Sequence, residues 1–354
     1  MKRVNGFSLL EVLISTAISL SATLIACRLA AGAQTNCRVI GARVDLQQRA
    51  RAVADMLSRS ILEAGAGPQA GPACGPISRY LPAVLPRRAG LRGAGAFDQF
   101  HRDAFTTFRV IADATHATLS LPMPPGSTAM ELAAVIGCAV PTCGFADGST
   151  ALVIDPDGSY DTFTVTDVSA ASLTVRARGP GSGRTHRTGS PVLSIESSSF
   201  FVDPSSSVLH RYDGDASDVP AIDDVVAMDV RYYGATQPPM WPRPPAGEAN
   251  CLYDAAGTYQ SALMPALAGV AGLVEMTGPM LIDGPWCGSG GTRFDADLLR
   301  VRRIRITMRL QASDPAVRGS DRQRFATPGS ATRETSMVPD VTVTIDATPR
   351  NLGQ

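Results

Sequence analysis

The chain has 354 residues, enough for two ordinary domains or for one domain with large insertions. Hydrophobic residues make up 44% of it, ample for a core, and 32 basic residues balance 32 acidic ones. A neutral chain carries no electrostatic footprint for nucleic acid, so that class of partner is excluded by charge.

The chain opens MKRVNGFSLLEVLISTAISLSATLIAC. Lys2 and Arg3 precede a run, Phe7 to Cys27, in which Glu11 is the one acidic or basic side chain. At about 1.5 Å per residue the run spans about 31 Å as a helix, enough to cross a bilayer, and the basic flank places its start in the cytoplasm. A carboxylate in hydrocarbon costs at least about 2.5–3.5 kcal/mol and needs a partner. A cut between Gly6 and Phe7 would supply one: the new α-amino group, on this subunit or on a neighbour.

Gly6, Phe7 and Glu11, within GFSLLEVLIS, resemble the class III signal of the type IV pilin and pseudopilin superfamily. The resemblance implies residues 1–6 as a leader removed by a prepilin peptidase, N-methylation of Phe7, and assembly into a filament through the helix, with Glu11 as the assembly residue. Two other readings compete. A plain single-span anchor leaves Glu11 without a role. Leu24-Ile25-Ala26-Cys27 fits a lipobox, but an acid in a signal h-region opposes export, and the helical pattern continues past Cys27 where a lipoprotein tether would be flexible.

Beyond Cys27, Leu46, Ala50, Val53, Leu57 and Ile61 recur at three- and four-residue steps. The spacing predicts one helix over residues 7–64, apolar all round in its membrane half (7–27) and amphipathic afterwards, with Gly32 and Gly41 as possible bends and Gly65, Gly67 and Pro68 as its stop. Its end, DMLSRSILEAGAG, is similar to the segment that closes the helix in PilW-like minor pilins. Residues 65–105, rich in Gly, Pro and Arg, read as a helix-to-sheet loop.

Residues 106–354 read as a periplasmic β-rich head. Short β-branched or aromatic runs are predicted as strands at Phe108–Ala112, Ala117–Leu121, Ala151–Asp155, Thr162–Asp167, Leu173–Ala177, Val192–Ile195, Phe200–Asp203, Val208–Tyr212 and Val225–Tyr233. FFVDPSSSVLHRYDG reads as a hairpin, and VVAMDVRYYG places Val226, Met228, Val230 and Tyr232 on one face. A long loop over 234–291 holds Trp241 and Trp286, either a partner-binding surface or a cover for the sheet. In LLRVRRIRITMRL the apolar parity shifts between Val301 and Ile304, which predicts a bulge near Arg302 and Arg303. The polar stretch Ser313–Ser336 then leads to DVTVTID as a last strand. A strand ending in Tyr-Tyr, a long variable loop and a final basic strand also resemble the order in PilW-like proteins and GspJ-type pseudopilins.

Seven cysteines in an exported chain point to disulfides, with Cys27 at the membrane exit as the odd one. The other six allow fifteen connectivities; the expected pairs are Cys138 with Cys143 and Cys251 with Cys287, leaving Cys37 with Cys74 by subtraction. Zinc is not expected, because CxxC pairs are lacking and His101, His116, His186 and His210 are scattered. The nearest approach to a metal loop is Asp155, Asp157 and Asp161, with calcium-loop spacing at its start but Thr166 where a glutamate belongs; Asp157-Gly158 is also a hairpin signal. No GxSxG, HExxH or phosphate loop is present, so neither enzyme activity nor a cofactor is expected.

The fold expected is α+β and pilin-like, a long N-terminal helix packed on an antiparallel β-rich head. The function implied by the resemblance is a minor pilin that primes assembly at or near the filament tip. Its partners would be the prepilin peptidase, other minor pilins and the major pilin, the inner-membrane assembly platform and a tip adhesin. The alternatives are a GspJ-like minor pseudopilin of type II secretion, and a lipid-anchored or single-span periplasmic binding protein.

Overall fold

The computed structural model describes residues 8–69, 74–92, 95–111, 116–135, 138–268 and 272–351. Its contacts divide it into two compact units, one formed by residues up to Ala50 with Leu310–Val341, the other by Arg51–Arg309 with the residues from Thr342 onward. One helix, α1 (Leu9–Glu63), contributes to both.

In the first unit every described residue from Ser8 to Arg38 is exposed, including large aliphatics such as Leu9, Leu13, Ile18, Leu24 and Leu29. Gly32 and Gly41 lie within uninterrupted helix. A buried stripe begins at Val39 and continues through Leu46 to Ala50, at the seven- and four-residue steps of one helical face. The returning segment, expected to be merely polar, is tied to that part of the helix. Arg38 pairs with Asp314 at 3.5 Å, Arg49 Nη2 donates to the Gln311 carbonyl at 3.2 Å, and Arg43 Nη2 to the Met337 carbonyl at 3.4 Å. Within it Val317, Phe325 and Val338 are buried.

The second unit is the β-rich head, in which the last turns of α1 pack. Val53, Leu57, Ile61 and Ala64 have no accessible surface, Ser60 Oγ lies 2.9 Å from Thr107 Oγ1, and Arg109 pairs with Glu63 at 2.5 Å. The strands in chain order are β1 (Val84–Leu85), β2 (Ala104–Val110), β3 (His116–Thr118), β4 (Ala129–Glu131), β5 (Thr150–Ile154), β6 (Tyr160–Val168), β7 (Ser172–Ala177), β8 (Pro191–Asp203), β9 (Val208–Tyr212), β10 (Asp218–Ile222), β11 (Val225–Ala235), β12 (Leu273–Met276), β13 (Trp286–Cys287), β14 (Phe294–Asp295), β15 (Val301–Leu310) and β16 (Val341–Ala347). The main sheet has the order β1-β2-β8-β5-β6-β7-β4, with β3 and the β9–β10 pair also attached through β8. A second sheet runs β12-β11-β15-β16, and β13 pairs with β14 alone.

Strand β8 organises the main sheet. Its start pairs with β5 and β3, and its end with β2 and β9. The sequence predicts two strands here, interrupted by the polar run Glu196–Ser199. The run stays extended because its side chains meet polar partners across the sheet: Glu196 pairs with Arg109 and Arg211, and Ser199 Oγ lies 2.6 Å from Thr106 Oγ1. Phe200 sits opposite Phe105 with ring centroids 5.3 Å apart, an aromatic cross-strand pair of the kind that stabilises sheets. The predicted hairpin holds, Asp203 facing Val208 across its turn.

The expected loop over 65–105 contributes to the core instead. Ile77, Leu81, Val84 and Leu85 are buried, and Val84–Leu85 pairs with β2. The 234–291 loop likewise contains β12 and β13, both outside the predicted strands. In the second sheet Met228, Val230 and Tyr232 are buried as predicted, whereas Val226 yields its place to Val225. The parity break appears in the burial pattern inside β15, where Val301 and Ile304 are both buried and Arg302 and Arg303 between them are half-buried; Leu299 belongs to the preceding 3-10 turn, Ala296–Arg300.

Truncating Leu57 to Ala should destabilise the head by about 2–5 kcal/mol in chemical denaturation, as removal of a fully buried leucine does. The same change at exposed Leu20 should leave the midpoint unmoved.

Candidate functional site

Of the processing residues, Gly6 and Phe7 lie outside the described residues, and Glu11 lies in the first turn of α1. Glu11 Oε2 accepts the Ser8 backbone N–H at 2.9 Å, while Ser8 Oγ accepts from Leu10 N at 3.2 Å. Ser8 and Glu11 thus form a reciprocal cap of the Ser-x-x-Glu type, a signal present in FSLLE that the sequence analysis passed over. The acid has a local backbone partner at the mouth of the apolar segment. By length and composition α1 could span a membrane, and its most apolar stretch has no buried residue.

The cysteines separate into two bonds and three thiols. Cys138 bonds to Cys143 with Cα atoms 6.0 Å apart, and Cys251 to Cys287 with Cα atoms 4.8 Å apart, as expected. The pairing of Cys37 with Cys74, reached by subtraction, is overturned: both are free and exposed, like Cys27. Cys74 sits in a loop closed locally by Gly75 N to the Pro68 carbonyl and Ile77 N to the Gly65 carbonyl, and its Sγ is 3.2 Å from the Gln69 carbonyl.

Asp155, Asp157 and Asp161 stand at the β5–β6 hairpin, whose turn is closed by Asp155 N donating to the Ser159 carbonyl at 2.8 Å, with Gly158 at φ 91°. The hairpin reading of Asp157-Gly158 therefore holds. Asp157 is engaged locally and by an arginine, whereas Asp155 and Asp161 share His186. Asp157 accepts from Ser159 N at 2.9 Å and pairs with Arg184. Asp155 accepts from Ser190 Oγ and lies 2.6 Å from His186 Nδ1. Asp161 accepts from Ser182 N at 2.6 Å and lies 2.9 Å from His186 Nε2.

His186, with 1% of its surface exposed, is thus clamped between two buried carboxylates, an arrangement the sequence reasoning missed. Burial disfavours the imidazolium, but the hydrogen bonds and charges of Asp155 and Asp161 outweigh it and push the His186 pKa up to about 9. Burial likewise opposes ionisation of Asp155, and the bonds from His186 and Ser190 prevail, holding its carboxyl below the usual range. Serine, histidine and aspartate meet here, yet both ring nitrogens face carboxylates, so neither is left to act as a base toward a hydroxyl.

A second acidic group joins Asp283, Asp295 and Asp297, one oxygen of each lying within 4.8 Å of the others. These residues could hold a cation, but the site has one of its own: buried Arg300 Nε lies 2.6 Å from Asp297 Oδ1. Burial pushes Asp295 up to about 7, against the N–H groups of Asp297 and Gly284 that it accepts. The D-x-D pattern of FDAD was the available signal.

The tryptophans divide. Trp286 packs edge-on to Phe97 at 5.1 Å between centroids, whereas Trp241 is 42% exposed beside exposed Met240, with the Arg79 guanidinium 5.4 Å from its ring.

The raised His186 pKa makes stability depend on pH. The imidazolium's contribution is complete below its ordinary value of 6.5 and is lost as pH rises through about 9. The Asp155 contribution is present above its ordinary 3.8 and fails as pH falls. His186→Gln should cost on the order of 2–3 kcal/mol near pH 6 and progressively less toward pH 10. Asp295 titrates in both proteins, so a cost that stayed constant between pH 6 and pH 10 would refute the clamp's charge.

No family model, no curated protein and no solved structure matches the chain.

Proposed function

We propose that the chain is a PilW-like minor pilin of a type IV pilus, held in the inner membrane with its head in the periplasm and then packed into the filament at or near the tip. The observation that carries this reading is the division of α1. Its residues from Ser8 to Arg38 are wholly exposed and mostly apolar, while its last turns are buried in a β-rich unit. An apolar surface of that kind suits lipid first and neighbouring helices afterwards.

In this mechanism the peptidase removes residues 1–6 and the methylated amine of Phe7 faces Glu11, on the same subunit or the next. The carboxylate's hydrogen bond to Ser8 N leaves its charge available for that amine. The other minor pilins, the major pilin, the assembly platform and a tip adhesin are its partners, and cleavage and methylation are done to the chain rather than by it. The Ser8–Glu11 cap favours a second reading, a plain single-span anchor for a periplasmic head, because it gives Glu11 a purpose that needs no filament.

Mass spectrometry of the N-terminus from native membranes distinguishes them. Methylated Phe7 is expected of the pilin; an intact Met1 would leave the anchor, and lipidated Cys27 a lipoprotein. Glu11→Gln keeps an acceptor for Ser8 N but removes the charge, so it should still be cleaved yet enter filaments poorly. Incorporation equal to wild type would reduce Glu11 to a helix cap. Gly6→Val should remain uncut in the membrane.

A further inference from the structure

The head contains a cavity of about 590 Å³, remote in sequence from the processing signal and unused by the reading above. Its lining includes Arg87, Phe97, Phe108, Tyr160 and Arg178. The volume falls within the range of small-molecule sites and far exceeds what an inorganic anion fills.

Arg87 is the unusual group on this wall. Strand β1 delivers it to the interior, and its own carbonyl is fixed by Thr106 Oγ1 at 2.7 Å. The residue is 4% exposed, and its guanidinium donates to the Phe97 carbonyl at 2.8 Å and more distantly, at 3.5 Å, to that of Arg293. The Tyr160 phenol lies against it. No carboxylate forms an ion pair with it among the described residues; Asp98, whose charge it feels, is exposed. A guanidinium stays charged in proteins, and a buried charge without a counter-ion is costly.

The second cation of the wall, Arg178, has carboxylates near it. Arg178 donates to Thr164 Oγ1 at 2.8 Å and the Asp213 carbonyl at 2.9 Å, but stands 3.9 Å from Asp215, which is held by Arg176 at 2.7 Å. Asp213 also lines the cavity, with its Oδ1 turned to its own loop, where it accepts from Asp215 N and Ser217 N. The cavity therefore places Arg87, a buried cation without a carboxylate ion pair among the described residues, beside three aromatic rings.

We propose that this cavity binds a small aromatic carboxylate, its anionic group met by Arg87 and its ring lying against Phe97, Phe108 and Tyr160. Arg178 adds a second positive wall, and guanidinium suits a planar carboxylate through paired N–H donors.

The test is calorimetric titration of the full-length chain in detergent with sodium benzoate, with benzamide as the uncharged isostere and with inorganic phosphate. Benzoate should bind saturably, with Kd on the order of 1 mM or tighter for a ligand this small, and benzamide and phosphate about tenfold or more weaker. Arg87→Gln should abolish the preference for benzoate over benzamide. Because a buried arginine can be needed for folding, Ala96→Trp provides a second variant: Ala96 is exposed at the lining, and the indole should occlude the cavity and weaken benzoate about tenfold. Equal affinity for benzoate and benzamide, phosphate binding as tightly as benzoate, benzoate binding unaffected by Ala96→Trp, or no saturable binding would each overturn the proposal.

Discussion

One helix must satisfy two surroundings, and much of the molecule follows from that. The ten large exposed aliphatics between Leu9 and Leu29 would together gain about 15–30 kcal/mol on being covered, at roughly 1.5–3 kcal/mol each. No protein surface described here covers them, so the stretch requires an apolar medium or other helices. Past Arg38 the same helix changes character. A buried stripe appears on one face, and charged residues such as Arg49 and Asp45 pair beside it at 2.8 Å. Because α1 runs uninterrupted from Leu9 to Glu63, the exposed apolar stretch and the core element share one hydrogen-bonded ladder.

The head rests on polar pairing inside its sheet as much as on apolar packing. Strand β8 crosses from one set of neighbours to another through Glu196 and three serines, a sequence with poor strand character. Arg109, bridging Glu63 and Glu196, links the end of α1 to that strand, and Ser60 and Thr107 make a neutral contact nearby. The clamp of His186 between Asp155 and Asp161 joins the β5–β6 turn to the chain before β8. Such groups cost desolvation and are stable only while all members are present, which rigidifies the place where they meet.

Those features limited what could be read from one chain. Calcium spacing at Asp155, Asp157 and Asp161 is a local pattern, whereas the partners of these carboxylates, His186, Ser190, Ser182 and Arg184, arrive from 21 to 35 residues away. Cysteine subtraction failed for Cys37 and Cys74 for a related reason: counting assumes that every thiol is within reach of another, and Cys74 is held in a locally closed loop. The cap of Glu11 was legible but competed with a more informative reading of the same residue. The cavity beside Arg87 had no local signature, since its walls come from the segment before β2, from β6, and from the residues after β7.

The linear order of residues determined the elements whose signal is periodic and local: the helix with its apolar first half and amphipathic second half, the β5–β6 and β8–β9 hairpins, and the two local or loop-closing disulfides. Each depends on residues a few positions apart, or on a spacing that a turn or a helix repeats. Only the tertiary structure decided that Glu196–Ser199 is strand, that the supposed loop over 65–105 supplies Ile77, Leu81 and β1 to the core, that His186 is held as a cation, and that Arg87 lines a cavity with no carboxylate ion pair among the described residues. These outcomes rest on burial and on cross-strand partners. A polar or glycine-rich segment adopts regular structure when distant side chains satisfy its hydrogen bonds, and its own sequence carries no record of who those partners are.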